Sequence, residues 1–131
     1  LFYVDDEGRV FAPLSIVTDF DFPVLTGPLI IEDLKDMRIR GDSLTGKALD
    51  FLKLAAQGNQ ILPAQAVSEV HVVPGDGLIV YLVDHPFPIY MGKEHIRTRY
   101  DRLIKVLDRL YRQDMIKDIS EIRVDYTGNR I

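Results

Sequence analysis

At 131 residues the chain is long enough for one buried core and too short for two comfortable ones, and 47% hydrophobic with 27% charged residues is the balance of a soluble globular domain. Its net charge of -4 weighs against a nucleic-acid or acidic-membrane partner, since those surfaces select basic proteins. The lack of cysteine excludes disulfides and thiolate zinc sites, and no apolar run approaches the roughly 20 residues of a membrane-spanning helix.

The chain opens on a strand pattern with neither an initiating methionine nor a signal peptide, so it is read as a fragment of a longer product, a single domain over 1–131. Leu1-Phe2-Tyr3-Val4 is a β-prone run, Asp5-Asp6-Glu7-Gly8 carries turn chemistry, and Arg9-Val10-Phe11 resume the extended pattern, which predicts a hairpin. A loop-rich stretch runs to about Gly41. It contains Pro13, the element Phe22-Pro23-Val24-Leu25-Thr26-Gly27-Pro28, and the apolar patch Leu29-Ile30-Ile31. Leu44, Ala48, Phe51, Leu52 and Ala55 recur at helical spacing and predict a helix over 44–57, capped by Asp42 or Ser43 and stopped by Gly58-Asn59. Strands follow over 67–73 and 78–83, joined by Pro74-Gly75-Asp76-Gly77, whose Pro-Gly centre suits a type II turn. Beyond the His85-Pro86-Phe87-Pro88 break, Ile89-Tyr90-Met91 is a short strand ending at Gly92.

The longest predicted element is a helix over 94–112, with Ile96, Tyr100, Leu103, Ile104, Leu107, Leu110 and Tyr111 on one stripe and i,i+4 pairs at Asp101/Lys105 and Asp108/Arg112. The last strand is read over 119–126, with Ile122, Val124 and Tyr126 facing one way and Arg123 and Asp125 the other. Thr127-Gly128-Asn129 is a turn, and Arg130-Ile131 begin a return strand. Strands interrupted by two main helices give an α+β fold with a largely antiparallel sheet.

Gly41-Asp42-Ser43-Leu44-Thr45-Gly46-Lys47 fits the first part of a phosphate-binding loop. Ala48 stands where a Ser or Thr should hold magnesium, and the charged stretch before it is no buried strand. The bland alternative is a helix start with Lys47 in solvent. His71, His85 and His95 are scattered without metal-ligand spacing, and Asp19 and Asp21 are read as solvated loop acids rather than a catalytic pair. Ser15, Ser43, Ser68 and Ser120 lack a nucleophile elbow. Arg102, Lys105, Arg109 and Arg112 gather on one side of the last helix. That side could meet phosphates, headgroups or an acidic protein, although a solvated face is the simpler reading.

With these residues in view, the chain resembles the extracytoplasmic β-domain of the FtsQ/DivIB family of bacterial cell-division proteins. The resemblance rests on Tyr3-Val4-Asp5 with Gly8-Arg9-Val10-Phe11, on Pro23-Val24-Leu25-Thr26-Gly27 against the family's P-x-L-x-G, and on Ile89-Tyr90-Met91-Gly92. It also rests on the helix from Tyr100 to Leu110 and on 122–126 against the family's I-D-L-R-Y. It implies a single-pass inner-membrane protein whose transmembrane helix and POTRA domain lie outside this chain, with this domain periplasmic at the division septum. It implies no enzyme and no cofactor. The domain would be a scaffold that binds FtsB/FtsL-type partners by strand addition at its C-terminal edge, through Ile122, Arg123, Val124, Asp125, Tyr126, Gly128, Arg130 and Ile131. This chain exchanges the family's two strand charges, placing Arg123 before Asp125. Asp125 is therefore expected to prefer a basic partner residue, unless the two charges pair with neighbouring strands or solvent. Two readings of other kinds stay open: a small phosphate- or nucleotide-binding enzyme using the Gly41 to Lys47 loop, and a different envelope adaptor sharing this architecture.

Overall fold

A computed structural model describes residues 3–4, 9–11, 23–28, 34–35 and 38–126. The elements in chain order are β1 (Tyr3–Val4), β2 (Val10–Phe11), β3 (Val24–Thr26), β4 (Leu34–Lys35), β5 (Arg38–Ile39), α1 (Leu44–Ala55), β6 (Val67–Val73), β7 (Gly77–Leu82), β8 (Ile89–Gly92), α2 (Ile96–Arg112) and β9 (Ile122–Arg123). Single 3-10 turns at Ala64–Ala66 and Ile116–Asp118 lead into β6 and towards β9. Strands β1 and β2 pair antiparallel, Tyr3 against Phe11, as the opening pattern predicts. The turn residues Asp5 to Gly8, the acids Asp19 and Asp21, Ser15, and the patch Leu29-Ile30-Ile31 lie outside the described residues. The stretch read as loop carries β3 and the small β4–β5 ladder, and Arg9 bridges to Arg38.

Five strands form the main sheet in the order β3-β6-β7-β8-β9. Its middle is antiparallel: β6 and β7 are joined by the turn after Val73, where Gly75 at φ +82° and the Asp76 N–H to Val73 C=O bond of 3.2 Å make the anticipated reversal. Its two outer pairs, β3 with β6 and β8 with β9, are parallel. Parallel neighbours need a long crossover, and here α1 lies between β3 and β6 while α2 lies between β8 and β9. The fold is thus α+β with a mixed sheet.

Both helices contact one face of this sheet, α1 over β6 and β7 and α2 over β8, and they contact each other. The strands supply Val70, Val72, Leu78, Val80, Leu82, Ile89, Met91, Ile122 and Val124 to that face, all buried. The helices answer with Ala48, Phe51, Ala55, Tyr100, Leu103 and Leu107. Burying each large apolar side chain contributes about 1.5–3 kcal/mol. A register shift between Val67 and Glu69 turns Val67 inward as well, three residues from Val70 rather than two. The opposite face carries Glu69, His71, Ile79, Tyr81 and Tyr90, all half-buried, and exposed Arg123.

Helix α1 starts where the Ser43 Oγ accepts the Gly46 N–H at 3.0 Å. Helix α2 is entered through His95 in the left-handed region, φ 54°, with no side-chain cap. Of the two predicted i,i+4 pairs, Asp108/Arg112 forms at 3.0 Å. Asp101/Lys105 does not: Asp101 lies with Arg97, Tyr100 and Ile104 along a cleft of about 260 Å³ beside the end of α1.

Candidate functional site

The last described strand is shorter than its hydrophobic alternation predicts: β9 spans only Ile122–Arg123 rather than 119–126. The pairing nevertheless extends one step further. Ile122 N–H bonds Pro88 C=O at 3.1 Å, and Val124 N–H bonds Tyr90 C=O at 3.0 Å. In a parallel ladder successive residues turn their backbone groups to opposite sides, so Ile122 and Val124 bond inward to β8. The N–H and C=O groups of Arg123 and Asp125 are directed to the outer side, where β9 has no neighbouring strand among the described residues.

The side chains divide as the sequence predicts. Ile122 is 6% exposed and Val124 is fully buried, both beneath the helices, whereas Arg123 is exposed on the opposite face. Arg123 sits 4.1 Å over the Tyr90 ring, donates to the Asp125 carboxylate at 3.1 Å and approaches Glu121 at 3.8 Å. The exchanged charges therefore neutralise one another along a single strand. Tyr126 is half-buried and held from above: Arg102 donates to its C=O at 2.9 Å and more weakly to Val124 C=O at 3.4 Å. Gly128, Arg130 and Ile131, together with the turn at 127–129, lie outside the described residues.

The other edge of the sheet, β3, contrasts with this one. It is three residues long and is bracketed by Pro23 and Pro28, which lack an N–H to offer. Thr26 is tied to its neighbour, donating to Glu69 and lying 2.7 Å from His71 Nδ1. Sequence reasoning missed this cluster because its three members become neighbours only through the β3–β6 register.

The Gly41 to Lys47 segment is not arranged as a phosphate cradle. The Gly46 amide is bound by Ser43 Oγ, the Lys47 amide by Ser43 C=O at 3.0 Å, and the Lys47 ammonium by Lys93 C=O at 2.6 Å. A phosphate would have to displace all three. Among the described residues no group of three or more His, Asp or Glu side chains is placed to hold a metal ion. His71 bonds Thr26, His85 stacks on Phe87, and His95 turns the chain into α2. Ser68 donates to Tyr81 C=O, and Ser120 is exposed.

Arg99 is a buried charge that the sequence did not single out. It is 6% exposed and donates to Met91 C=O at 3.0 Å, fastening α2 to the end of β8. Its position inside the apolar stripe is the available signal, since an arginine there needs an internal acceptor.

Residues 1–126 match the family model described as Cell division protein FtsQ/DivIB, C-terminal. The chain is 29% identical over 133 residues to a Cell division protein FtsQ from Geotalea daltonii, covering 100% of this chain and 46% of that relative. It is 24% identical over 131 residues to a Cell division protein FtsQ from a Geobacter species, with the same coverage, and 26% identical over 113 residues to one from Syntrophotalea carbinolica, covering 84% of this chain and 38% of the relative. The chain therefore spans less than half the length of these curated relatives. No helix among the described residues is long and apolar enough to cross a membrane.

Proposed function

Because the chain belongs to the FtsQ/DivIB family of cell-division proteins, we propose that it is a non-enzymatic interaction domain of the bacterial divisome, binding FtsB/FtsL-type partners by strand addition along the outer edge of β9. The observation that carries this reading is the pair of outward-directed backbone sets at Arg123 and Asp125. An extended segment satisfies such groups with ladder hydrogen bonds and gains specificity from alternate side chains. No proline follows Pro88, so this edge, unlike β3, lacks the residue type that most effectively blocks pairing. The partner-contacting set is Ile122 to Tyr126 with Gly128, Arg130 and Ile131. The parent protein is anchored in the inner membrane by one helix outside this chain, with this domain periplasmic at the septum. Relatives about twice as long are compatible with that arrangement.

Hydrogen exchange of the domain with and without the cognate FtsB segment tests the proposal. Added protection at Arg123 and Asp125 is expected. It should vanish in Arg123→Pro, which removes an outward N–H while leaving both inward bonds to β8 in place. Tight binding without protection at these two amides would refute strand addition.

A further inference from the structure

Resting on the strand-addition reading, we infer that the flank of α2 beside β9 selects the partner strand by charge, favouring one whose helix-side residues run acidic, apolar, acidic at alternate positions. Arg102 fixes which flank this is, because its guanidinium reaches Val124 C=O and Tyr126 C=O at the C-terminal end of β9. Lys105 and Arg109 stand three and seven residues further along α2, and at 3.6 residues per turn they extend the same side of the helix. Since α2 returns the chain between two parallel strands, it runs against β9. Two turns, about 10 Å, match about three strand residues and carry the flank from Tyr126 back to the level of about Arg123. A strand added outside β9 would have this flank above it.

The charges of α2 are segregated. At 3.6 residues per turn Asp108 and Asp101 lie furthest from the β9 side, Arg112 and then Lys105 follow along the ridge opposite the buried stripe, and Arg109 and Arg102 stand nearest β9, with Asp108 neutralising Arg112. Lys105 and Arg109 are exposed and make no ion pair with any described residue. Half-buried Val106 lies between them and the sheet, offering an apolar step. The macrodipole accounts for cations in the last turn, Arg109 and Arg112. It does not account for Lys105 in mid-helix or for the exclusion of acids from this flank. On the opposite face Glu121, Arg123 and Asp125 already pair among themselves, leaving little charge for a partner to read. Discrimination therefore falls to the helix side, and the partner is acidic there rather than basic opposite Asp125. A domain of net charge -4 that keeps Lys105 and Arg109 without an ion pair among the described residues is poorly suited to polyanions in general and well suited to one short acidic strand.

Two synthetic extended peptides of equal length, identical except for glutamates or lysines on either side of a central valine in the alternating pattern, test this on the chain as it stands. Fluorescence anisotropy should give the glutamate peptide about tenfold or more tighter binding. The combined Lys105→Glu and Arg109→Glu variant should reverse that order. Arg123→Pro should weaken both peptides, with circular dichroism verifying that the fold is retained. If Arg123→Pro abolishes binding while the charge-reversed variant keeps the original preference, the inference fails and strand addition stands. If charge reversal acts but Arg123→Pro does not, the flank selects acids while strand addition fails. Equal competition by inorganic polyphosphate of matched charge would overturn the inference, since charge alone would then be read.

Discussion

The guanidinium carbon of Arg102 lies 4.4 Å from the centroid of the Tyr126 ring, and the same side chain donates to the Tyr126 carbonyl at 2.9 Å. One residue of α2 thus holds both the ring and the backbone of the segment that leaves the sheet. Arg102→Ala should cost about 1 kcal/mol in urea unfolding. The more telling result is local: amide exchange over 122–126 should quicken while that of β6 and β7 stays unchanged. Arg102→Lys should recover only part of the effect, because an ammonium lacks the planar fork that stacks and bonds together. Uniform exchange across the sheet would contradict a local clasp.

Tyr100 links α2 to the chain after α1. It is 4% exposed, meets Phe51 edge-on at 5.5 Å between centroids, and donates its hydroxyl to Leu62 C=O at 2.8 Å. Tyr100→Phe preserves the ring contact but strands a buried carbonyl, so a loss of about 1–3 kcal/mol is expected by thermal or urea unfolding. Phe51→Ala, which empties the centre of the core, should cost about 3–5 kcal/mol.

Alkaline pH offers a separate check on the same residue. Burial, and after it the charge of Asp101, raises the Tyr100 phenol above its ordinary value of 10.0. A raised acid holds its proton in the folded state after the unfolded chain has released it. The stabilising contribution is therefore complete below pH 10 and is lost as pH climbs through the folded value. Tyr111, raised by burial and Asp84, acts in the same direction but is 39% exposed. Unfolding midpoints should fall above pH 10 in the native protein and fall less steeply in Tyr100→Phe.

Gly77 occupies a left-handed conformation, φ +104°, and a Cβ there would lie 2.2 Å from the backbone carbon of Gly92. Backbone cannot yield as a side-chain tip can, so Gly77→Ala should part β7 from β8 and cost more than about 2 kcal/mol. Exchange at Ile89–Gly92 and then in β9 should rise with it, because β9 pairs only with β8 among the described residues. Unchanged protection of β9 would show that α2 alone holds it.

Magnesium nucleotide should leave the melting temperature unchanged, since the amides and the ammonium of the Gly41 to Lys47 segment already have internal partners. A ligand at 100 times its Kd would add about 2.7 kcal/mol of apparent stability, a shift of several degrees for a domain of this size. Such a shift, abolished by Lys47→Ala, would restore the enzyme reading.

The helices were legible because their apolar spacing is long and regular. The 67–82 hairpin was legible because Pro74 and Gly75 permit few backbone paths. Strands β3, β4 and β5 are two or three residues long, too short for periodicity to register, and their stretch of sequence reads as loop. Of the candidate site, the alternation at Ile122, Val124 and Arg123 was visible, whereas the pairing of Arg123 with Asp125 was not. Two charges two residues apart on a strand share a face, but only the position of Tyr90 beneath the guanidinium holds Arg123 in place to meet Asp125.

By itself, then, the sequence determined most of the apolar core, though not buried Arg99 or the exposure of Tyr111 at the end of its stripe, and which family the chain resembles, because hydrophobic period and turn chemistry are local properties written in consecutive residues. Only the tertiary structure decided that β3 and β9 are the outer strands of the sheet among the described residues, that each runs parallel to its neighbour, and that the cations of α2 flank one of them. Those facts depend on where two helical crossovers return the chain, and pairing between strands separated by a whole helix leaves no local mark in the sequence.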